Sequence, residues 1–272
     1  MAIQIPQIEL GNVVPGAIPL APEDKGVNET FLGHVDAPSG RHKAYIKVTL
    51  GKQLVNELIA TTVGRALNLP IPQGYLLSVR PADLPESQLL QQHGAEALIF
   101  GSRALDHPSL ARRFRGNPQD AVAWLHANFK RWDEAIIFDD WIANVDRHPG
   151  NLLVSSANQV WLIDHSHCFS GPDWQAAQLR LQATQAFGNQ LASVFVPNLT
   201  LPQRVALKDK AGAMSQLFNT VDAGLAMSVS FADRLLNSSD LDAVSNFLHD
   251  RIPHIVDIVS NRVGIPGLGG QS

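Results

Sequence analysis

The sequence Asp-Arg-His-Pro-Gly-Asn occupies residues 146–151, and Ile-Asp-His occupies residues 163–165. This stretch sets Asp146 five positions before Asn151, and a second aspartate, Asp164, thirteen positions after that. A carboxylate such as Asp146 can accept a proton from a hydroxyl group. The oxygens of Asn151 and Asp164 are hard ligands of the kind that Mg²⁺ prefers. The order of these residues therefore predicts a general base beside a magnesium site.

The residues around this stretch predict a β-hairpin. Leu152–Val154 and Val160–Ile163 read as two short strands, and Ser155–Gln159 reads as the polar turn between them. A hairpin would bring Asn151 and Asp164 to the same end, where both could bind one ion. The combination is similar to the catalytic loop H-R-D-x-x-x-x-N of protein kinases with its later metal-binding aspartate.

The composition is that of an ordinary globular protein. The chain has 272 residues, of which 45% are hydrophobic and 17% are charged, which suggests one large domain or two lobes sharing a cleft. A formal net charge of −4 gives no overall basic field, so nucleic acid is not an expected partner. The single cysteine, Cys168, excludes an intramolecular disulfide and fits a reducing compartment. Without a signal peptide or an apolar run approaching ~20 residues, we expect a cytoplasmic protein with no transmembrane helix.

Periodicity along the chain predicts an α+β fold of two lobes. We expect a small mixed N-terminal lobe over residues 1–105 and a mostly helical C-terminal lobe over residues 106–272. The strands expected in the first lobe are one near Ile3–Leu10 and those at Lys43–Val48, Gly74–Val79 and Glu96–Ser102, with a helix over Gln53–Leu69. The helices expected in the second lobe are one opened by Asn117 and Pro118 and those over Lys130–Val145, Trp174–Phe195, Pro202–Phe218, Ser228–Leu236 and Asp240–Val263.

Two charged residues of the first lobe could form a phosphate-binding pair. Lys47 lies on a predicted strand, which would hold its ammonium rigidly toward the phosphates of ATP. Glu57 lies on the following helix, ten positions later, and could pair with Lys47 and orient it. Each residue also has an ordinary alternative: Lys47 on the solvent face of an edge strand, and Glu57 paired locally with Lys52 or Arg65.

Two backbone segments could complete a nucleotide site. Leu98–Ser102 has the position of a hinge, where the backbone at Phe100 and Gly101 would be offered to adenine. Gly26–Gly40 could cover the phosphates with backbone N–H groups. This segment has glycines at 26, 33 and 40 but no G-x-G-x-x-G pattern, and a plain connecting loop fits it equally well.

Several polar residues allow more than one interpretation. Arg147 could neutralise phosphate charge or pair with a nearby acid, and His148 could position a substrate or hydrogen-bond the loop. A basic cluster of Arg112, Arg113 and Arg115 could be a solvated loop or a docking patch for phosphate or an acidic substrate.

A zinc-dependent hydrolase is an alternative of another class. Asp164, His165, His167 and Cys168 are all possible ligands of a transition metal. On a strand, alternation would put His165 and His167 on one face. No H-x-x-x-H or C-x-x-C pattern completes such a site.

Taken together, these residues resemble the HipA-like kinases. The resemblance covers roughly residues 25–170, and its final stretch, from Ile163 to Phe169, is also similar to the phosphatidylinositol 3- and 4-kinases. It rests on Ala44–Val48, Asn56–Ala60, Leu69–Pro72, Asn144–Asn151 and Leu162–His165. The resemblance implies a divergent, two-lobed protein-kinase-like fold and phosphoryl transfer from ATP, dependent on Mg²⁺, to a hydroxyl group.

The same resemblance implies a role for each matching residue. Lys47 would bind phosphate, Glu57 would orient it, and Asp146 would be the catalytic aspartate. Asn151 and Asp164 would hold Mg²⁺. The first expectation for the acceptor is a protein serine or threonine, followed by a phosphatidylinositol-type lipid or another small alcohol. A regulatory module that binds nucleotide with little catalysis, and transfer of AMP instead of phosphate, stay open, as do a toxin role and the oligomeric state.

Overall fold

Five strands in the first part of the chain close into a barrel. The computed structural model of the chain describes residues 3–21, 28–115, 117–155 and 159–265. The strands are β1 (Glu9–Pro19), β2 (Thr30–Ala37), β3 (Gly40–Lys47), β4 (Gly74–Val79) and β5 (Ala97–Arg103). Hydrogen bonds join them in the order β1, β2, β3, β5, β4. β1 and β4 are parallel, and the other neighbours are antiparallel.

Alternation along the strands decides which side chains fill the barrel. Ile46 of β3 lies opposite Phe31 of β2, and both are buried in the interior together with Val35. Successive residues of a strand point to opposite faces, so Lys47 turns outward because Ile46 turns inward. The strand expected at Lys43–Val48 is present, and its register sends Lys47 toward the neighbouring helix.

One helix, α1 (Gly51–Ala66), connects the barrel to the rest of the molecule. On one side of α1, Leu58 packs with Phe100 of β5. On another side, Ile59 belongs to the apolar core of the later helices. Because α1 is covered on most of its circumference, it forms a rigid support for the residues that it carries.

Beyond β5 the chain is mainly helical, apart from one two-stranded sheet. A small helix, α2 (Gln88–His93), precedes β5, and short 3-10 turns occur at Pro81–Asp83, Pro149–Asn151, Val196–Asn198 and Ile252–His254. The later elements are α3 (Leu110–Arg113), α4 (Pro118–Asn128), α5 (Trp132–Trp141), β6 (Leu152–Val154), β7 (Val160–Leu162), α6 (Ala176–Leu179), α7 (Gln190–Phe195), α8 (Leu201–Phe218), α9 (Ala223–Val229), α10 (Ala232–Leu235), α11 (Ser238–Arg251) and α12 (Ile255–Val263). Within the described ranges, no helix combines the length and the apolar character needed to cross a membrane.

The first strand lies later in the chain than the sequence predicted. The expected strand near Ile3–Leu10 is wrong except at its end, because the pairing of β1 begins only at Glu9, opposite Tyr75 of β4. The register of β1 against β2 shifts between Val14 and Ile18, a stretch that contains Pro15. A proline within a bulge removes the alternation by which strands are recognised in a sequence.

The helix predicted over Trp174–Phe195 is interrupted. Only α6 and α7 are helical, and the loop between them is held by the buried guanidinium of Arg251. Its Nη1 donates to the carbonyl oxygens of Gln182, Ala183 and Gln185 at 3.3, 2.9 and 2.8 Å. This partner lies 69 positions from Gln182, so the local pattern cannot reveal that the backbone is used in this way.

Two other predicted helices are each divided by one residue. Ser228–Leu236 is split between α9 and α10 at Phe231, whose φ of 63° lies in the left-handed region. Asp240–Val263 is split at Pro253, which has no N–H group for an α-helical hydrogen bond, so a 3-10 turn separates α11 from α12.

Gly64 and Gly212 should respond in opposite ways to substitution by alanine. A Cβ on Gly64 of α1 would lie 2.3 Å from Ile71 Cδ1 and 2.9 Å from the ring of Phe138 on α5, whereas a Cβ on Gly212 of α8 would meet nothing within 4 Å. We expect Gly64→Ala to lower the free energy of unfolding by about 1–3 kcal/mol through overpacking. Gly212→Ala should raise it by about 0.5–1 kcal/mol, because alanine is the better helix former. Chemical denaturation measures both, and a stabilised Gly64→Ala would contradict the close packing of α1.

Candidate active site

A cleft of about 490 Å³ opens where β3 and β5 face the hairpin of β6 and β7. Five residues that the sequence assigned to phosphate binding, proton transfer or magnesium binding line it together: Lys47, Glu57, Asp146, Asn151 and Asp164. They come from four separate segments of the chain, so their convergence is a property of the fold. The volume is within the range of pockets that hold small ligands and cofactors.

An ion-pair network at one end of the cleft is centred on Lys47. Its Nζ lies 2.8 Å from Glu57 Oε1 and 2.5 Å from Asp164 Oδ1. Glu57 is buried, and its Oε2 accepts a hydrogen bond of 2.9 Å from the backbone N–H of His165. Glu57 therefore ties the lysine on β3 to the segment that follows the hairpin. Its alternative partner Lys52 instead bonds the carbonyl oxygen of Trp174 and pairs with an aspartate of α11.

Both members of the Lys47–Asp164 pair are charged although they are partly buried. Burial lowers the pKa of Lys47, but the charges of Glu57 and Asp164 outweigh it, and the pKa lies above its ordinary value. Burial raises the pKa of Asp164, but the charge and hydrogen bond of Lys47, with the hydroxyl of Ser166, hold that pKa well below its usual range. Asp164 is thus an ionised carboxylate, and Lys47 is a cation beside it.

The hairpin places Asn151 and Asp164 at the same end. In the antiparallel pair β6–β7, Leu152 lies opposite Leu162, and the Ile163 N–H donates to the Asn151 carbonyl oxygen at 3.1 Å. This arrangement is the one predicted from the sequence, although residues 156–158 of the turn lie outside the described residues. The cleft therefore receives both side chains from one rigid unit.

The donor set at this end fits Mg²⁺. Asn151 Nδ2 donates to the Asp146 carbonyl oxygen at 2.7 Å, so the nitrogen of the amide is identified by its partner and Oδ1 is left for another ligand. Among the described residues, the hydrogen bonds to the Asp164 carboxylate all reach Oδ1, which leaves Oδ2 for an ion. Magnesium is commonly held by one or two such protein oxygens together with phosphate oxygens and water.

Asp146 presents one carboxylate oxygen to the cleft and has the other bound. Its Oδ1 accepts a hydrogen bond of 3.0 Å from Gln190 Nε2 on α7. Its Oδ2 lies 3.8 Å from His148 Nε2 and 3.9 Å from His167 Nδ1, and both histidines line the cleft. His148 also fulfils the structural alternative, since its Nδ1 accepts the Gly150 N–H at 3.0 Å.

The structure corrects the expectation that Arg147 contacts phosphate. Its side chain is fully buried under the loop and pairs with the equally buried Asp139 at 3.1 Å. Its Nη1 donates to the carbonyl oxygens of Asn151 and Ile163 at 3.3 and 2.5 Å. Burial lowers the pKa of Arg147, but Asp139 outweighs this and raises it. Arg147 is the internal support of the hairpin, which is the alternative of pairing with a nearby acid.

The hinge assigned to Phe100 and Gly101 is also corrected. Gly101 lies opposite Ile46 of β3 and Tyr75 of β4, so β5 is an inner strand whose backbone groups are used by its neighbours. These groups are not available to adenine. The chain leaves the sheet only after Ala104, and residues 107 and 109 of the next segment line the cleft. The side chain of Phe100 does line the cleft, as an apolar wall.

Most of the segment expected to cover the phosphates is sheet. Gly33 lies opposite Ala44 within the β2–β3 hairpin. Gly40, with φ of 117°, forms the turn at the opposite end of β3 from Lys47. Gly26 lies outside the described residues. Gly33 and Gly40 therefore do not line the cleft in which phosphates would bind.

The possible zinc ligands do not converge. His165 is buried against Glu57, His167 faces Asp146, and Cys168 is buried, with a pKa raised well above its ordinary value by that burial. The segment is not a strand, because φ is positive at Asp164 and Phe169. Among the residues that the structure describes, no three His, Cys, Asp or Glu side chains come together to hold a metal ion. The zinc alternative thus has no site in this part of the molecule.

The three arginines of the basic cluster do not all face the cleft. Arg112 and Arg115 line the cleft, whereas the guanidinium of Arg113 lies 5.3 Å from the ring centre of Trp124. The docking role stays a prediction for the first two residues and has no support for the third.

Two residues of the site had no role predicted from the sequence. Gln190 contacts Asp146 from 44 positions away and lies in no recognisable motif. Asn56 lies next to Glu57, is fully buried, and joins α1 to the segment after the hairpin. Its Nδ2 donates to the carbonyl oxygens of Ser166, Cys168 and Gly171 at 2.8, 3.1 and 3.2 Å, and its Oδ1 accepts a hydrogen bond of 2.9 Å from Trp174 Nε1. An asparagine within an apolar helical run was the signal that could have revealed it.

Comparisons with a family model and with solved structures each give a match. The family model described as HipA-like kinase matches residues 41–205, which is more than half of the chain and contains every site residue named above from Lys47 to Gln190. No curated protein matches the chain. Among solved structures, the chain is similar to the Helicobacter pylori proinflammatory kinase CtkA, with a TM-score of 0.55 and 12% sequence identity over 92% of this chain and 96% of that one. At this level of identity the likeness shows a shared fold.

Proposed function

We propose that this chain, which belongs to the HipA-like kinase family, transfers the γ-phosphate of ATP to a hydroxyl group in a reaction that depends on Mg²⁺. The observation that carries the proposal is the convergence on one cleft of the Lys47–Glu57–Asp164 network with Asp146 and Asn151. In this proposal they act as a phosphate-binding cation, the glutamate that orients it, a general base and two magnesium ligands, which are the groups on which enzymatic phosphoryl transfer relies.

Each residue has a separate task in this proposal. Lys47, oriented by Glu57, binds phosphate oxygens as a fixed positive charge. Asn151 and Asp164 would hold Mg²⁺, which would neutralise charge on the phosphates. Asp146 accepts the proton of the acceptor hydroxyl through Oδ2, the oxygen on the side of the two histidines.

We also propose that the cleft separates two lobes, residues 1–105 and residues 106–272. One apolar cluster lies wholly within the barrel and the elements beside it, between Val13 and Ile99. A second cluster is formed mainly by the helices after β5, together with one side of α1. In this arrangement ATP lies between the lobes, with its base against apolar side chains such as Phe100, Leu153 and Ile163.

For the acceptor we propose a serine or threonine of a protein. Asp146 lines the cleft and its side chain is 32% exposed, so the hydroxyl of a side chain from another protein can reach it. A lipid headgroup or a small alcohol presents the same chemical group, and the assay below separates these sources.

Incubation with ATP labelled at the γ-phosphate, Mg²⁺ and a cell lysate tests the proposal, with Asp146→Asn as the control. We expect label on a protein, with the rate reduced at least about a hundredfold in Asp146→Asn, because the general base is lost. Phosphoamino-acid analysis then identifies serine or threonine, and lipid extraction shows whether a headgroup is labelled instead.

The other outcomes point to different functions. Label transferred from the α-position of ATP would indicate AMP transfer. Binding of ATP without transfer to any component of the lysate, or to the protein itself, would favour a regulatory module and contradict the proposal.

A further inference from the structure

One hydrogen bond of the site is donated by Gln190, a residue that has no role in the proposed reaction. Gln190 Nε2 lies 3.0 Å from Asp146 Oδ1 and 3.4 Å from the Val145 carbonyl oxygen. Both partners are acceptors, so the amide nitrogen must face them, and the orientation of the amide is fixed. A hydrogen bond to a carboxylate is stronger than one between neutral groups.

The contact distinguishes the two oxygens of Asp146. Oδ1 is bound by Gln190, and Oδ2 is left on the side of His148 and His167. A general base works through a lone pair aimed at the acceptor proton, so rotation of the carboxylate would misdirect it. An amide donor restrains that rotation without taking part in proton exchange.

The backbone that carries Gln190 is itself firmly held. Asn189, the residue before it, is buried, and its Oδ1 accepts the Ala192 N–H at 2.9 Å as the cap of α7. Asn189 Nδ2 donates to the Ile136 carbonyl oxygen and to Asp140 Oδ1 at 3.0 and 3.1 Å. Asp140 is buried and paired with Arg262 of α12.

This network has a direct consequence for the site. Asp139 and Asp140 are consecutive buried acids of α5, and they contact the two segments that the Gln190–Asp146 hydrogen bond joins. Asp139 holds Arg147 beneath the loop, and Asp140 holds the segment that delivers Gln190. Gln190 is thus placed relative to the loop because both segments contact the same helix, α5.

We propose that Gln190 is a positioning residue for Asp146, holding Oδ1 so that Oδ2 is directed at the acceptor hydroxyl. The inference rests on the proposed phosphoryl transfer for its catalytic meaning. It predicts an effect on turnover and none on the binding of ATP, since Gln190 does not line the cleft with Lys47 and Asp164.

The kinetic test compares Gln190→Met, which keeps the length and removes the donor, with Gln190→Glu, which adds a negative charge beside Asp146. We expect kcat to fall about tenfold in Gln190→Met and further in Gln190→Glu, with KM for ATP within about twofold of the wild type. Gln216→Met and Gln216→Glu, at an exposed glutamine of α8, are matched controls and should change neither constant. In an Asp146→Asn background, Gln190→Met should cause no further loss.

A second readout requires no activity. The side-chain amide resonance of Gln190 in the free protein, assigned by its loss in Gln190→Met, should shift in Asp146→Asn and stay in place in Asp173→Asn. An unshifted resonance would show that the contact is absent in solution. A normal kcat in Gln190→Met, or an equal loss with and without Asp146, would overturn the positioning role while the kinase activity stands. Failure of the wild type itself to transfer phosphate would overturn the proposed function, and the role of Gln190 with it, even if the resonance shifts.

Discussion

Asp164→Asn is expected to lower Mg²⁺-dependent phosphoryl transfer at least about a thousandfold while the protein stays folded. The substitution removes the carboxylate from the proposed magnesium site and leaves only amide oxygens there. Lys47 keeps its contact of 2.8 Å with Glu57, so its charge does not become unpaired. The transfer assay over a range of Mg²⁺ concentrations, with thermal unfolding followed by circular dichroism, measures both parts of the prediction.

Asp173→Asn provides the matched control for this experiment. Asp173 is exposed, lies nine residues further along the same segment, and does not line the cleft. Its variant should therefore keep full activity at every Mg²⁺ concentration. If Asp164→Asn also kept full turnover, Asp164 could not be a ligand of the catalytic metal, and the assignment of the site would be wrong.

The parts of the site that the sequence predicted are those built from local structure. Asn151 and Asp164 flank two short apolar runs joined by a polar turn, and such a pattern determines a hairpin without help from distant residues. Lys47 lies on a strand whose alternation is unbroken, so its outward direction follows from the neighbouring Ile46. In both cases the relevant geometry spans fewer than twenty residues.

The parts that the sequence did not predict depend on distant partners. Arg147 follows Asp146 directly, yet the loop turns its side chain inward to Asp139. Gly101 has the composition of a strand end, but pairing on both sides makes its backbone unavailable. Gln190 reaches Asp146 only because buried groups on two other helices fix the start of α7. The residues next to Arg147, Gly101 and Gln190 in the sequence do not indicate whether each of them faces a ligand or a distant part of the chain.

The buried position of Arg147 leads to the second large effect: Arg147→Met should lower the free energy of unfolding by about 3–5 kcal/mol. The substitution leaves the Asp139 carboxylate buried, with the Asn144 side-chain amide at 2.9 Å as its remaining side-chain partner among the described residues. It also removes the donor from the carbonyl oxygens of Asn151 and Ile163. Urea denaturation measures the loss, and Arg41→Met, which breaks an ion pair on the surface, should leave the midpoint nearly unchanged.

A double substitution distinguishes the cost of the unpaired Asp139 charge from the other effects of Arg147→Met. Asp139→Leu combined with Arg147→Met replaces both buried charges by apolar side chains, and should recover most of the stability lost in Arg147→Met alone. Transfer activity should stay low in the double variant, because the donor that joins the two ends of the hairpin is still missing. A phosphate-binding Arg147 predicts the opposite result for the single variant, with unchanged stability and reduced binding of ATP. The comparison therefore decides between an arginine that supports the site from within and one that acts on the nucleotide.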